Sequence, residues 1–271
     1  VADWYAEAET RYSSASDGYA FVMASYEFKE VHGHRTLRLR APDGSEREEV
    51  VRPMEWEEQF SVPWGGSFRD NGWLDDLDAP TIYYVNLSDS VTPDESVVVE
   101  HWSEVETADG IVLDMRAYPT LDIYGFAGFF RAEMFTAPWF DHPTWTGPSE
   151  FEFTREIWDM FPSDSPYTGP IALMVSPFSV SAAESFAQML MDLPNVTVVG
   201  QQSASTNGTI TNLWLPGSFQ VNFTGMRLLN LDGSQFHAIG VVPNVEVVPD
   251  VSDLAAGLDP ELQAAIDVLM P

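Results

Sequence analysis

The sequence predicts an α/β fold with a mostly parallel sheet and helices, and three stretches carry that prediction. Ile171-Ala172-Leu173-Met174-Val175 and Ile111-Val112-Leu113-Asp114-Met115-Arg116 are almost unbroken apolar runs. Such runs belong to strands covered on both faces. Thr81 to Leu87 (TIYYVNL) is a third strand of similar character. After it, Thr92-Pro93-Asp94-Glu95 forms a capping box with proline at the first helical position, opening a helix to about Thr107. Strand, helix and strand in this order predict a right-handed crossover and parallel neighbours.

The stretch from Gly169 to Met191 organises the rest. The strand Ile171–Val175 breaks at Pro177, and Ser179-Val180-Ser181 leads into a helix whose Phe186, Leu190 and Met191 can face a core. A serine at a strand-to-helix turn sits among backbone N–H groups that have no helical partner and favour developing negative charge. The same position suits a plain helix N-cap.

Composition narrows the classes. The 271 residues include 9 Trp, 9 Tyr and 17 Phe, and 45% are apolar, which is enough for a large core. The net charge of -30 sets a repelling field against nucleic acid, so no nucleic-acid partner is expected. A saline source would account for the acidity. No cysteine is present, which removes disulfides, thiol nucleophiles and thiolate metal sites. No apolar run reaches the roughly 18 residues that span a bilayer. The first residue is Val1, which leaves room for a signal peptide or another domain ahead of it.

Residues 1–80 read as a separate small region. Asp3 to Tyr12 predicts an acidic helix, and Tyr19 to Phe28 a strand from its aromatic and branched content. Arg35 to Arg40, the turn Pro42-Asp43-Gly44, and Glu48 to Arg52 predict a β-hairpin. The chain's one lysine, Lys29, lies here with His32 and His34. Val62 to Asp78 reads as a long loop before residues 81–271.

Beyond Arg116, Leu121 to Met134 predicts a helix. Phe135 to Phe151, with Trp139, Phe140, His142 and Trp145, reads as an aromatic loop fit for substrate packing or simple anchoring. Glu150 to Phe161 predicts a short helix. Asn195 to Gly200 is a strand, and Thr209 through Leu229 an antiparallel hairpin turning at Pro216-Gly217. Asp259-Pro260-Glu261 caps a final amphipathic helix ending near Met270.

Ser179-Val180-Ser181-Ala182-Ala183-Glu184 resembles the nucleophile motif of the S41 serine peptidases, the C-terminal-processing and tricorn-core proteases. Gly110 to Thr120 resembles the family's strand and glycine-rich loop, with Ala117, Thr120 and Leu121 near positions where glycine is usual. Gly200 to Ser205 resembles its Gly…Thr-x-Gly segment. Leu231 to Ser234 and Gly240 to Val247 resemble its closing signature, with Ala238 for its first glycine and Asn244 for its aspartate. The hairpin near residue 40 is similar to the closing hairpin of a PDZ domain, so residues 1–80 read as a remnant or truncated module of that kind. The likeness covers about residues 81 to 270, in the family's order. It implies a ClpP/crotonase-like core.

The resemblance further implies Ser181 as nucleophile, with an oxyanion site formed by backbone N–H groups near Ala182 and the loop of Ala117, Thr120 and Leu121. Arg116 belongs to that loop by position, and a structural salt bridge accounts for it equally well. One S41 branch activates serine with a lysine whose position falls at Thr206, and no lysine follows Lys29, so a Ser–Lys dyad is excluded. Another branch uses a histidine from the N-terminal side and a glutamate from the closing signature, and His237 stands at that glutamate position. An imidazole with a pKa of about 6.5 suits general-base work. Either His237 takes the Ser181 proton, oriented by Glu184 or another acid, or His34 or His32 is the base with His237 as its partner. A chain with no competent base is the third case. Glu184 also serves as a capping-box partner.

The expected activity is hydrolysis of peptide bonds through an acyl-enzyme on Ser181, without cofactor or metal. Two other readings stand beside it: a silent relative that binds peptides or unfolded polypeptide tails, and an esterase or amidase on the same fold. A homo-oligomer is compatible with all three. The resemblance favours the cell envelope or secretion, with the cytoplasm left open.

Overall fold

The computed structural model describes residues 2–12, 16–29, 33–41, 43–52, 69–87 and 101–270. Its strands are β1 (Arg35–Arg40), β2 (Glu46–Val51), β3 (Gly72–Leu74), β4 (Ala79–Asn86), β5 (Gly110–Asp114), β6 (Phe135–Thr136), β7 (Trp139–Gly147), β8 (Glu150–Glu156), β9 (Asp159–Met160), β10 (Ile171–Val175), β11 (Val196–Gly200), β12 (Ile210–Leu215), β13 (Phe219–Thr224), β14 (Arg227–Leu229) and β15 (Val245–Glu246). The helices are α1 (Ala2–Glu9), α2 (Asp17–Lys29), α3 (Trp102–Val105), α4 (Ile123–Ala127), α5 (Ala182–Leu190), α6 (Val251–Ala255) and α7 (Pro260–Leu269).

Six strands form the central sheet in the order β15-β11-β10-β5-β4-β3. All neighbours are parallel except β3, which pairs antiparallel with β4. This is the mostly parallel α/β core that the apolar runs predict. Alternate residues of a strand face opposite sides, and here both sides are covered. Tyr83, Val85, Ile111, Leu113, Ile171, Leu173 and Val175 pack on one side with Phe126, Phe186 and Leu190. Ile82, Tyr84, Val112, Ala172 and Met174 pack on the other with Leu262, Ala265 and Ile266 of α7. On α5 the buried Ala183, Phe186, Ala187 and Leu190 recur at helical spacing, and Phe186 stacks on Phe126 at 6.0 Å.

Gly200 ends β11 at a φ of 116°, and a Cβ there would stand 2.3 Å from the Val175 carbonyl oxygen. Only glycine lets β10 and β11 stay paired to their ends. Asn244, in the place of an aspartate, closes the same edge: its Oδ1 accepts the Val198 N–H at 2.8 Å.

Several expectations need correction. Tyr19 to Phe28 lies in a helix, not a strand. Ser16 Oγ caps it by accepting the Tyr19 N–H at 3.2 Å, and Ala20 and Ala24 bury a helical face. The expected helix from Leu121 is only five residues, Ile123–Ala127. Residues 139–156 form a β-hairpin where a loop and a helix were expected. Part of the expected loop before residue 80 is the edge strand β3. The capping box Thr92–Glu95 and His32 lie outside the described residues. The hairpin β1–β2 pairs Arg35 with Val51 through Arg40 with Glu46, as its alternation suggests. Among the described residues, no helix is long and apolar enough to cross a membrane.

Candidate active site

The turn between β10 and α5 is tied down by its own serines. Ser179 Oγ accepts the Ser176 N–H at 2.9 Å and donates to the Met115 carbonyl at 2.6 Å. Ser176 Oγ donates to the Arg116 carbonyl, also at 2.6 Å. These bonds hold the loop after β5 against the turn. Ser181 then takes φ 57° and ψ -110°, a region that non-glycine residues rarely occupy. Such a conformation costs about 1–3 kcal/mol and persists only where surrounding contacts over-determine it. Here the Ser181 N–H reaches both the Thr206 carbonyl at 3.3 Å and Glu184 Oε2 at 3.2 Å. Helix α5 starts at the next residue, so the Ala182 N–H belongs to its first, unpaired turn.

Glu184 is fully buried behind this turn. Its Oε1 accepts the Ser203 hydroxyl at 2.5 Å and the Ser205 N–H at 2.7 Å. Burial pushes its carboxyl up to about 8, against the hydrogen bonds from Ser203, Ser181, Ser205 and Thr206. Ser203 Oγ in turn accepts the Val241 N–H at 2.9 Å. Gly240 packs directly on this group: at φ 68°, a Cβ would lie 2.5 Å from Ser205 Oγ and 2.6 Å from Ser203 Oγ. Glu184 thus links the helix start, the segment after β11 and the closing segment.

Ser181 opens on a cavity of about 270 Å³. Ala182, Ser185 and Asn207 line its floor, while Tyr124, Phe140, Trp158 and Met226 give it apolar walls. Asn207 stands next to the position where the family lysine would fall, and its Nδ2 donates to Ser185 Oγ at 2.9 Å. His142 and Glu156 complete the lining from the β7–β8 hairpin. In this hairpin Phe140 pairs with Glu156 and His142 with Thr154, so Phe140, His142 and Glu156 share one face. The other face holds Asp141, whose buried carboxylate accepts from Arg155 Nε at 2.7 Å and Arg227 Nη2 at 2.5 Å. His142 Nε2 lies 3.1 Å from Glu156 Oε2, and Trp158 Nε1 donates to Glu156 Oε1 at 2.7 Å.

The structure brings together Ser181, Ala182 and Glu184, and leaves the expected histidines elsewhere. His237 lines a different depression with Pro143, Phe153 and Phe223. Its Nε2 accepts the Leu228 N–H at 3.1 Å, and burial lowers its pKa. That nitrogen is already in use as an acceptor. His34 is exposed at the head of β1 and does not line the Ser181 cavity. Arg116 turns away as well: it pairs with Asp114 at 2.7 Å, Asp259 at 2.8 Å and Glu261 at 2.8 Å. Burial opposes its charge, but Asp114 and Asp259 more than offset this and raise its pKa. Ala117 is buried, Thr120 donates its N–H to the Leu87 carbonyl at 3.3 Å, and Leu121 packs on the core. None of these three lines the cavity, although the loop after β5 is fixed to the Ser176–Ser181 turn. His142 and Glu156, which also line the cavity, are not among the sequence-expected site residues; the alternation Glu-Phe-Glu-Phe from Glu150 to Phe153 is the local signal for the strand of Glu156.

Residues 141–247 match the model of peptidase family S41. No curated protein matches the chain by sequence. Among solved structures, a candidate peptidase from Parabacteroides merdae aligns over 100% of this chain and 89% of its own, with 19% identity and a TM-score of 0.63. Mature CPAF complexed with lactacystin aligns over 94% of this chain and 71% of its own, with 13% identity and a TM-score of 0.65. The photosystem II D1 C-terminal processing protease aligns over 89% and 60%, with 17% identity and a TM-score of 0.52. The chain has the fold of these proteins.

Proposed function

We propose that this chain, whose residues 141–247 belong to peptidase family S41, is a serine peptidase that hydrolyses peptide bonds through an acyl-enzyme on Ser181. One observation carries the reading: Ser181 is held at φ 57° and ψ -110° at the start of α5, on the cavity. A plain N-cap has no use for that strain, because N-caps adopt extended backbone angles. A serine that must present its hydroxyl above a helix start does.

Attack on a carbonyl turns its oxygen into an oxyanion, and the Ala182 N–H at the head of α5 is a donor for it. A second donor would come from the Ala117–Leu121 loop, which the Ser176 and Ser179 bonds keep beside the turn. No lysine follows Lys29, so activation does not use a Ser–Lys dyad. Glu184 acts in this reading as a positioning residue that fixes the Ser181 backbone.

The test is intact-mass analysis after treatment with a fluorophosphonate, which reports an activated serine without a known substrate. One adduct per chain, lost in S181A, is expected. Folded wild-type protein that takes no adduct would sink the peptidase reading. The outcome would then favour the second reading, polypeptide binding without hydrolysis. That reading draws on the exposed apolar side chains of Trp214 and Phe219, on a hairpin whose flanking Thr209 and Met226 line the cavity.

A further inference from the structure

We propose that His142, oriented by Glu156, is the base that takes the proton of Ser181. The inference rests on the reading of Ser181 as nucleophile and adds a residue that the family resemblance does not supply. There the histidine comes from the N-terminal side and the carboxylate from the closing signature. In this chain both come from one β-hairpin, inserted between β5 and β10.

Four observations converge on the pair. Among the described residues His142 is the histidine that lines the Ser181 cavity, whereas His237 has its Nε2 engaged by Leu228. The hairpin register sets His142 and Glu156 on the same face as Phe140, so strand pairing and not a mobile loop positions the imidazole. Glu156 is held in turn by the Trp158 indole N–H, and Trp158 packs on Phe140 at 4.8 Å and Tyr124 at 5.4 Å. The Trp158 hydrogen bond, followed by His142, lowers the Glu156 pKa, which keeps the partner of the imidazole a carboxylate.

The tautomer follows from the donor inventory. An ionised carboxylate only accepts, so the His142 Nε2 facing Glu156 carries the proton and Nδ1 carries the lone pair. In acylation Ser181 Oγ bonds to the scissile carbonyl carbon and its proton passes to His142 Nδ1. The C–N bond then breaks, and the leaving amine takes that proton. In deacylation water gives a proton to Nδ1 and its oxygen to the acyl carbon, and the proton returns to Ser181 Oγ as the ester bond breaks. Glu156 stays ionised and stabilises the imidazolium formed in each half.

The experiment measures the rate of fluorophosphonate adduct formation in wild type, S181A, H142A, E156Q and H237A, with far-UV circular dichroism to verify folding. H142A should label about 10²–10⁴ times more slowly than wild type, and added imidazole should restore much of the loss in H142A but none in S181A. E156Q should fall about tenfold or more, because the fixed tautomer is lost. If H142A labels at the wild-type rate while S181A takes nothing, the inference is overturned and the nucleophile stands. A fall in H237A instead would have the same meaning. A fall in H142A that imidazole leaves unchanged would assign His142 to packing and overturn the inference too. Folded wild type that takes no adduct would overturn the nucleophile reading and this inference together.

Discussion

The carboxylate of Glu184 accepts the backbone N–H of Ser181 at 3.2 Å from a fully buried position, so a residue that touches no solvent sets the angle of the serine. Its other oxygen holds Ser203 and Ser205. Removing the carboxyl in E184A would take an acceptor from Ser203 Oγ and from the Ser181 and Ser205 N–H groups, and a buried donor left unsatisfied costs about 1–3 kcal/mol. We expect E184A to lose about 3–5 kcal/mol by urea unfolding, and E184Q, which retains an acceptor, to lose clearly less. Equal losses would mean that volume and not hydrogen bonding matters.

The same residue makes stability depend on pH in a known direction. Its folded pKa, about 8, lies above the ordinary value of 4.5. The stabilisation it gives is therefore full below pH 4.5 and is lost as pH rises through about 8. Across that window E184Q should gain stability relative to wild type. A difference that stays constant with pH would show that Glu184 is ionised throughout.

Arg116 forms ion pairs with Asp114, Asp259 and Glu261 at the junction of β5 and α7. Breaking a buried pair by deleting one partner costs about 3–5 kcal/mol, because the partner charges remain buried. R116M should lose at least that much, most directly seen as a lower thermal midpoint. The double change D114N/R116M should recover part of it. Failure of the second change to help would argue that packing of the guanidinium, not charge, holds α7.

Asp141 behaves in the opposite sense to Glu184. Hydrogen bonds from Arg155 and then Arg227 hold its carboxyl down to about 2, against the effect of burial. Its contribution to stability is present above the ordinary value of 3.8 and is lost as pH falls through about 2. Acid titration of D141N should lack this part of the slope, as followed by tryptophan fluorescence. A profile unchanged from wild type would remove Asp141 as a source of acid sensitivity.

Ala238 adopts φ 64° with its side chain exposed, at a position where glycine is the family's choice. A left-handed conformation costs an L-residue about 1–2 kcal/mol, and the extra freedom of glycine in the unfolded chain returns about 0.4–1 of that. A238G should therefore raise stability by about 0.5–1 kcal/mol. A lower urea midpoint would mean that the methyl group has a packing role.

Much of the fold is local and was open to reading from the chain. Ile171–Val175 and Ile111–Leu113 are apolar without a break because both faces of the sheet are covered. The turn at Pro216-Gly217 and the cap at Asp259-Pro260 act on their immediate neighbours, and both elements form where the sequence places them. Tyr19 to Phe28 was misread because aromatic content outweighed the Ser16 cap in the local balance of propensities. In residues 139–156, Pro143 argues against a strand. Yet β14 pairs only with Trp139–Asp141, so β7 is an edge strand at Pro143 and tolerates it.

By itself the sequence determined the α/β class, the serine at the head of the central helix and the lack of any lysine after Lys29, since each depends on residue identity and near neighbours. Tertiary structure alone decided which carboxyl reaches that serine and which histidine lines its cavity. Glu184 is the capping-box partner its position suggests and also holds the segment after β11, because Ser203 and Ser205 reach it from 19 and 21 residues away. His237 lines a different depression and its Nε2 accepts the Leu228 N–H, while strand register places His142 and Glu156 on the cavity. The register of the β7–β8 hairpin sets the directions of His142 and Glu156, and the packing of that hairpin against the rest of the fold decides which face meets the cavity.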